Sequence, residues 1–393
     1  MSPDTGTPHG AGAESPRLPD EDRRRLDELL GRVGRASRYF VGYPSNEVFD
    51  YTELTPFLGY VLNNVGDPFA ETNVPLNTHE FEREVMEDFA EFTRAPEGDW
   101  WGYVTGGGTE GNMYGLYLAR ELFPEGICYF SEESHYSVPK ILRLQHTRNI
   151  MLKAQANGEI DYADLAETLR IHRDVPPIIF ANIGTTMKGA HDDLAKIRQI
   201  LADLAITHCY IHADAALSGM VLPFVENRPA WDFAGGADSI SISGHKLLGA
   251  PVPCGVVLAR RPYVDRVARS VEYVGALDTT ITGSRSAFGP LMLWYRLRTL
   301  GREGCRRLVR RCLDLADFAI ERFEREGIHA WRNPHSITVV IPRPPASFLE
   351  KWVVAVHGDI GHIITLPHVT EEIIEEIVGD LAAAFANPSS DAS

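Results

Sequence analysis

Residues 101–123 read WGYVTGGGTEGNMYGLYLARELF, and this stretch decides the fold. Residues 101–105 form a short apolar run, residues 106–108 are three glycines, and beyond Glu110 the apolar residues return at helical spacing. A strand that turns sharply into a helix is half of a βαβ unit. The same texture continues downstream. ICYFS, NIMLK, PIIFANI, CYIHAD, SISIS and CGVVLA read as further short strands. YADLAETLRIH and DDLAKIRQILADLA are the clearest helices between them, with LSGMVLPFV as a turn-rich segment. Strands apolar on both faces and joined by crossover helices predict a doubly wound, largely parallel α/β sheet.

Outward from this core the pattern changes on both sides. Upstream, Asp20 is expected to cap a helix, EDRRRLDELLGRV, with Leu26, Leu29, Leu30 and Val33 at helical spacing. Residues 51–64 and 79–92 are further helical segments, the second with Phe81, Val85, Met86 and Phe89 on one stripe. Downstream, helices over 290–300 and 305–326 lead into SITVVIPRP, KWVVAVHGD, GHIITLP and a closing helix, TEEIIEEIVGDLAAAF. The expected organisation is a disordered tail (1–19), an N-terminal helical arm (20–95), a large α/β domain (96–300), a small C-terminal α+β domain (301–388) and a loose tail (389–393).

The chain has 393 residues, 44% of them hydrophobic, and a formal charge of −16. Such an acidic balance argues against nucleic acid or an anionic membrane as partner, since both require a basic face. Five scattered cysteines without a CxxC pair read as buried reduced thiols. The first twenty residues are polar and no apolar run approaches the ~20 residues that cross a bilayer, so a cytoplasmic location is expected.

Four groups of residues carry chemistry. Thr105 to Asn112, TGGGTEGN, exposes backbone N–H groups at a helix N-terminus, where phosphate binds well. Gly106, Gly108 and Gly111 also spell GxGxxG, and Glu132 and Glu133 follow at dinucleotide spacing, so a nicotinamide site and a purely structural turn stay open. In SISISGHKLLG, Lys246 follows His245 at a strand end. That is either a lysine snorkelling from the sheet or an imine-forming amine such as pyridoxal 5′-phosphate (PLP) requires. In IHADAALSG, Asp214 ends an apolar strand and is followed by Ala215 and Ala216. A carboxylate there suits a protonated pyridine nitrogen, with small residues letting a flat ring approach. A metal site from His208, Cys209, His212 and Asp214 is disfavoured because strand alternation does not bring all four to one face. His135, after another strand end, suits an imidazole stacked on a ring, and Thr185 in ANIGTT adds a hydroxyl at a further one. A phosphate cradle, a histidine, an aspartate and a lysine 32 residues beyond it together fit PLP, whereas a dehydrogenase accounts for the first alone.

On these motifs, with TITGSR and AWRNPHSITVV, the chain resembles the PLP-dependent group II amino acid decarboxylases of the aspartate-aminotransferase fold (fold type I) from about residue 20 to 388. More narrowly it is similar to the bacterial PLP-type histidine decarboxylases and their serine decarboxylase relatives. The resemblance implies that Gly107, Gly108 and Thr109 hold the phosphate with Ser243 and His245. It further implies that His135 stacks on the ring, Asp214 pairs with its nitrogen, Ala216 packs beneath it and Lys246 bonds its aldehyde. It also implies a homodimer in which Gly283 and Ser284 reach the partner's phosphate. Tyr273, in VEYVGALD, is the expected donor of the proton returned to Cα, with Lys246 or His245 as alternatives. The segment FAETNVPLNTHEFEREV is expected to line the substrate pocket through Asn73, Leu76 and Thr78. It departs from the Tyr-Leu-Leu-Asn run of the histidine decarboxylases, so serine or another small or apolar amino acid stands beside histidine. A PLP-binding protein without turnover is the reading from a different class, and retention of Lys246, Asp214 and His135 together argues against it.

Overall fold

A computed structural model describes residues 17–271 and 275–386. Its strands, in chain order, are β1 (Asn63–Val65), β2 (Trp100–Thr105), β3 (Ile127–Ser131), β4 (Arg148–Leu152), β5 (Pro177–Asn182), β6 (Tyr210–Asp214), β7 (Ser239–Ser243) and β8 (Gly255–Arg260). Beyond these come β9 (Arg269–Val271), β10 (Ala276–Asp278), β11 (Ser284–Ser286), β12 (Thr338–Pro342), β13 (Ala355–His357) and β14 (Ile360–Ile364). All seven strands expected from the apolar runs join one sheet of order β2-β8-β7-β6-β5-β3-β4. Only β8 runs against its neighbours, so the other six share one direction and their C-terminal ends share one edge.

The alternation of each strand sorts its side chains onto two faces. Val104, Tyr129, Ile179, Ile211 and Ile240 belong to the core on one face. Trp101, Tyr103, Phe130, Ile178, Phe180 and Tyr210 belong to the core on the other. Every residue of β3, β5, β6 and β7 is buried, which is why β3 and β5 read as nearly continuous apolar runs. β4 closes the sheet as an edge strand and leaves Met151 exposed. Fully burying a large apolar side chain is worth about 1.5–3 kcal/mol, so the many such residues in these cores hold the sheet firmly.

A third core lies among β12, β14 and β13, the closing helix Glu371–Ala386 and the second half of the helix Phe288–Arg325. Leu315, Phe323, Val339, Trp352, Ile363 and Leu381 fill it, together with Val41 from the N-terminal arm. The Val41 and Gly42 N–H groups both donate to the Val353 carbonyl, which fastens the arm there. The long helix breaks at Gly301, whose φ of 60° and ψ of 174° a side chain would resist, so two helices form as the sequence predicts.

Three local features differ from expectation. Residues 51–64 do not form an α-helix. Thr52–Gly59 is a 3₁₀ stretch holding Pro56, and β1 follows it, paired with β11. Proline removes a donor and crowds the preceding turn, which an α-helix there would not tolerate. Asp20 is the first residue of its helix rather than the cap, since Pro19 precedes it. The helix Val138–Leu144 was not expected. In the helix Asp20–Ser37 no residue is buried, so its apolar stripe of Leu26, Leu29, Leu30 and Val33 faces outward. Residues 1–16 of the expected N-terminal tail and the whole expected tail 389–393 lie outside the described residues.

Candidate active site

Of the loops that leave the central sheet at the shared edge, those after β2, β3, β5, β6 and β7 carry the candidate residues. Strand ends of this kind are where open α/β sheets bind ligands.

The first loop turns into the helix Gly108–Leu122. Gly107 caps it at φ 143°, a backbone that favours glycine. Three glycines on one face let this helix lie directly on polar side chains of β7 and β6. A Cβ at Gly108 would stand 2.9 Å from Ser243 Oγ, one at Gly111 2.3 Å from Ser241 Oγ, and one at Gly115 2.1 Å from His212 Nδ1. The alternation of SISIS is thus explained: its isoleucines enter the core and its serines meet the glycine helix. The Gly106 N–H donates to Glu110 Oε2 (2.7 Å), and the Glu110 and Gly111 N–H groups donate to the Gly107 carbonyl. The Gly108 and Thr109 N–H groups have no bonded acceptor among the described residues, which leaves them for an anion at the positive end of the helix dipole.

The loop after β7 presents His245 and Lys246. Its path is set by Gly244, where a Cβ would stand 2.5 Å from Leu293 Cδ2, and by buried Asn46 of the arm. Asn46 donates from its backbone N–H to the Lys246 carbonyl and from Nδ2 to that of Leu247 (2.8 Å). His245 Nδ1 donates to the Cys254 carbonyl (2.9 Å), which orients the ring. Burial pushes the pKa values of Lys246 and His245 down; for Lys246 the nearby Asp214 carboxylate opposes the shift. Burial therefore moves Lys246 toward the free amine, the nucleophilic form.

Asp214 ends β6 and is nearly buried, with 8% of its surface exposed. Its Oδ2 accepts from Asn112 Nδ2 (2.8 Å) and its Oδ1 from the Ala216 N–H (3.2 Å). His135, after β3, bonds Ser137 Oγ through Nδ1 (2.8 Å). Burial pulls the pKa of His135 down, Asp214 pulls it up and Lys246 lowers it again, so these three groups feel one another's charge. Thr185, after β5, is buried and accepts from the Ala190 N–H (3.0 Å), inside a turn that also bonds its backbone to Ala190.

Gly108, Thr109, His135, Thr185, Asp214, Ala216, Ser243, His245 and Lys246 line one cavity of about 560 Å³. Gly107 adjoins it: a Cβ there would come within 3.9 Å of His245 Cε1. The cavity also has walls that the sequence reading missed: Tyr43, Pro44 and Ser45 from the arm, Asn112, and Ser336, Thr338 and His362 from the C-terminal part. Only the aromatic and glycine-proline texture of YFVGYPSN, a stretch that fits neither helix nor strand, hints at the first of these. Among the described lining residues, Asp214 is the only carboxylate and there is no arginine.

Other expected residues lie elsewhere. Asn73, Leu76 and Thr78, expected at the substrate pocket, are not among the residues that line this cavity within one chain. Asn73 instead lies where a Cβ at Gly275 would stand, Leu76 is 53% exposed, and Thr78 is buried with its hydroxyl on Asn64 Oδ1 and the Ala287 carbonyl. Gly283 and Ser284 are exposed and outside the cavity of their own chain. Tyr273 lies outside the described residues. Glu132 and Glu133, the acidic pair of the dinucleotide reading, are engaged with the Ala154 N–H and with Lys188 Nζ (2.6 Å). The four residues of the disfavoured metal reading do not gather: Cys209 faces Arg198, and His212 lies between Asn112 and Ser239.

Residues 63–330 match the pyridoxal-dependent decarboxylase conserved domain. The chain is 46% identical over 361 residues to a histidine decarboxylase of Mesorhizobium japonicum, covering 92% of this chain and 98% of that protein. It is 45% identical to one of Morganella morganii, covering 93% and 97%. Among solved structures, L-methionine decarboxylase from Streptomyces sp. 590 matches with a TM-score of 0.83 at 25% identity, covering 93% of this chain and 96% of that one. Glutamate decarboxylase of Lactobacillus brevis matches in fold alone, with a TM-score of 0.78 at 18% identity over 95% and 94%.

Proposed function

Since the chain belongs to the pyridoxal-dependent decarboxylase family, we propose that it converts L-histidine to histamine and CO₂, with PLP bonded to Lys246. The observation that carries this reading is the meeting of Lys246, Asp214 and His135 in one cavity. The donor set suits the cofactor. The Gly108 and Thr109 N–H groups, with Ser243 and His245, would take the phosphate, and Gly107 keeps the turn open for it. Asp214 would accept the ring N–H, Ala216 would leave room beneath the ring, and His135 would lie against it with Thr185 nearby.

When bound, PLP supplies a protonated ring that accepts the electron pair left by C–CO₂ cleavage. The protein's task is orientation. The cavity walls must hold the amino acid so that the bond to its carboxylate stands perpendicular to the ring, the arrangement that selects decarboxylation over transamination. Water must be kept from the cavity, and Lys246 Nζ or His245, both on its wall, would return a proton to Cα. With no arginine and no carboxylate besides Asp214 on the described walls, the side chain that fits is uncharged. A neutral imidazole needs one donor and one acceptor, which the hydroxyls of Tyr43, Ser45, Ser336 and Thr338 can provide.

Supplying the PLP-loaded protein with L-histidine, L-serine or L-methionine and measuring CO₂ tests this. Histidine is expected to lead in kcat/KM by at least about a hundredfold, because buried polar groups left unpaired by another side chain are costly. Serine or methionine leading would overturn the substrate. Colour without CO₂ from any amino acid would favour a binding protein.

The exposed stripe of the helix Asp20–Ser37 and the outward Gly283 and Ser284 support a homodimer in which one copy completes the other's site. Light scattering should then give twice the 43.7 kDa of one chain, and a single-chain mass at micromolar concentration would contradict it. A cytoplasmic location is proposed with it; no described helix is long and apolar enough to cross a membrane.

A further inference from the structure

The strand end alone does not hold Asp214. Behind it runs a line of three buried side chains, His212 from β6 itself and Asn112 and Ser239 from two other elements. Asn112, on the glycine helix, donates from Nδ2 to Asp214 Oδ2 at 2.8 Å. Its Oδ1 lies 3.0 Å from His212 Nε2, and His212 Nδ1 lies 2.7 Å from Ser239 Oγ. Asn112 is 2% exposed, and His212 and Ser239 are fully buried, so water does not substitute for any link. We infer that Ser239, His212 and Asn112 form a one-way hydrogen-bond relay that fixes the direction of the Asp214 carboxylate, making all three positioning residues for the decarboxylation. The inference rests on the reading of Asp214 as the partner of the cofactor's ring nitrogen.

The direction of the relay follows from what each group can do. A carboxylate only accepts, so Asn112 must turn its NH₂ toward Asp214 and its carbonyl oxygen toward His212. That oxygen needs a donor, so the proton of His212 must sit on Nε2. Nδ1 is then an acceptor, and the Ser239 hydroxyl donates to it. Reversing any one link would set two lone pairs or two hydrogens face to face throughout the line. His212 suits a neutral role, because burial pushes its pKa down to about 3. The ring therefore stays uncharged and keeps one tautomer across the working pH range. Gly115 completes the device. Its missing side chain leaves the space that the imidazole fills, and a Cβ there would stand 2.1 Å from Nδ1. This accounts for the second GxxxG-like step in GNMYG, which the phosphate reading of the glycines leaves unexplained.

The alternative is a polar chain that merely fills the helix–sheet interface. The two differ in what their loss changes. A filler affects stability alone, whereas a relay also moves the chemistry that Asp214 governs while leaving substrate binding in place.

The test uses the full chain with Asn112→Ala, Ser239→Ala, His212→Phe and the conservative His212→Gln, beside the unmodified protein. Nitrogen-15 NMR of the cofactor-free chain should show His212 neutral with its proton on Nε2, and Ser239→Ala should remove that tautomer preference. With PLP bound, Asn112→Ala is expected to lower kcat for histidine about tenfold, as loss of one buried hydrogen bond to a charged group implies, with KM nearly constant. The pH titration of the bound cofactor's absorbance should shift in the same variant. Ser239→Ala, which removes one buried oxygen and spares the fold, should show a smaller change of the same kind. His212→Gln, able to donate and accept, should recover much of what His212→Phe loses. Unchanged kcat and absorbance in Asn112→Ala and Ser239→Ala, with only the melting temperature lowered, would overturn the relay. So would a proton found on Nδ1 of His212. A chain that takes up no PLP at Lys246 would instead refute the functional reading, and the NMR result would still decide the relay.

Discussion

Lys246→Ala is expected to lower kcat/KM for histidine by at least about a thousandfold, the scale on which loss of a covalent catalytic amine is felt. Two features concentrate the effect at this side chain. Burial shifts it toward the free amine, and the loop that carries it is held by Asn46 and by the close packing of Gly244. No other lysine lines the cavity among the described residues, so no neighbour can take over the bond. The groups proposed to bind phosphate lie on other residues, and the variant should therefore still bind PLP without the covalent link. A small primary amine added to the assay should restore part of the rate. Steady-state kinetics with and without methylamine, beside equilibrium dialysis of PLP, measures all three. A variant that keeps a tenth of the native rate would place the reactive amine elsewhere.

Asp214→Ala should cost nearly as much in kcat, about a hundredfold to a thousandfold, the range seen when one preorganised electrostatic contact is removed from a reacting centre. Its carboxylate faces the cavity while its remaining lone pairs are satisfied by Asn112 and the Ala216 N–H, so a negative charge is presented in one direction only. Without it nothing on the described walls would keep the ring nitrogen protonated, and the electron pair from C–CO₂ cleavage would have no positive acceptor. Asp214→Asn separates charge from shape: it keeps an oxygen for Asn112 but brings no charge to the ring. Both variants should lose kcat with KM little changed, since the amino acid is gripped by other walls. A rise in KM at constant kcat would instead make Asp214 a substrate contact.

Much of the fold was legible because burial on two sides writes a nearly continuous apolar run, as in ICYFS and PIIFANI, and because three glycines before a helix leave few conformations open. The groups that the sequence placed at strand ends, Asp214, Lys246, His135 and Thr185, meet in the cavity because strands running one way end at one edge. The opposite walls were illegible for a matching reason. Tyr43 and Ser45 come from an irregular arm, and Ser336, Thr338 and His362 from beyond residue 330, brought in by packing between separate cores with no periodic signal. Asn73, Leu76 and Thr78 were expected at the pocket from the place of their segment in the family resemblance, and within one chain Thr78 is committed to Asn64 of the arm and to the Ala287 carbonyl. The role of the glycines was only half visible. Phosphate binding explains Gly107 and Gly108, but the contacts at Gly111 and Gly115 with Ser241 and His212 are set by neighbours more than ninety residues away.

Reduction of the PLP-loaded protein with borohydride, followed by peptide mapping, tests the central claim most directly. A pyridoxyl group on the peptide containing Lys246, and a loss of activity in step with its formation, is the predicted result. Full modification at another lysine, or activity that survives reduction with no pyridoxyl peptide formed, would contradict it.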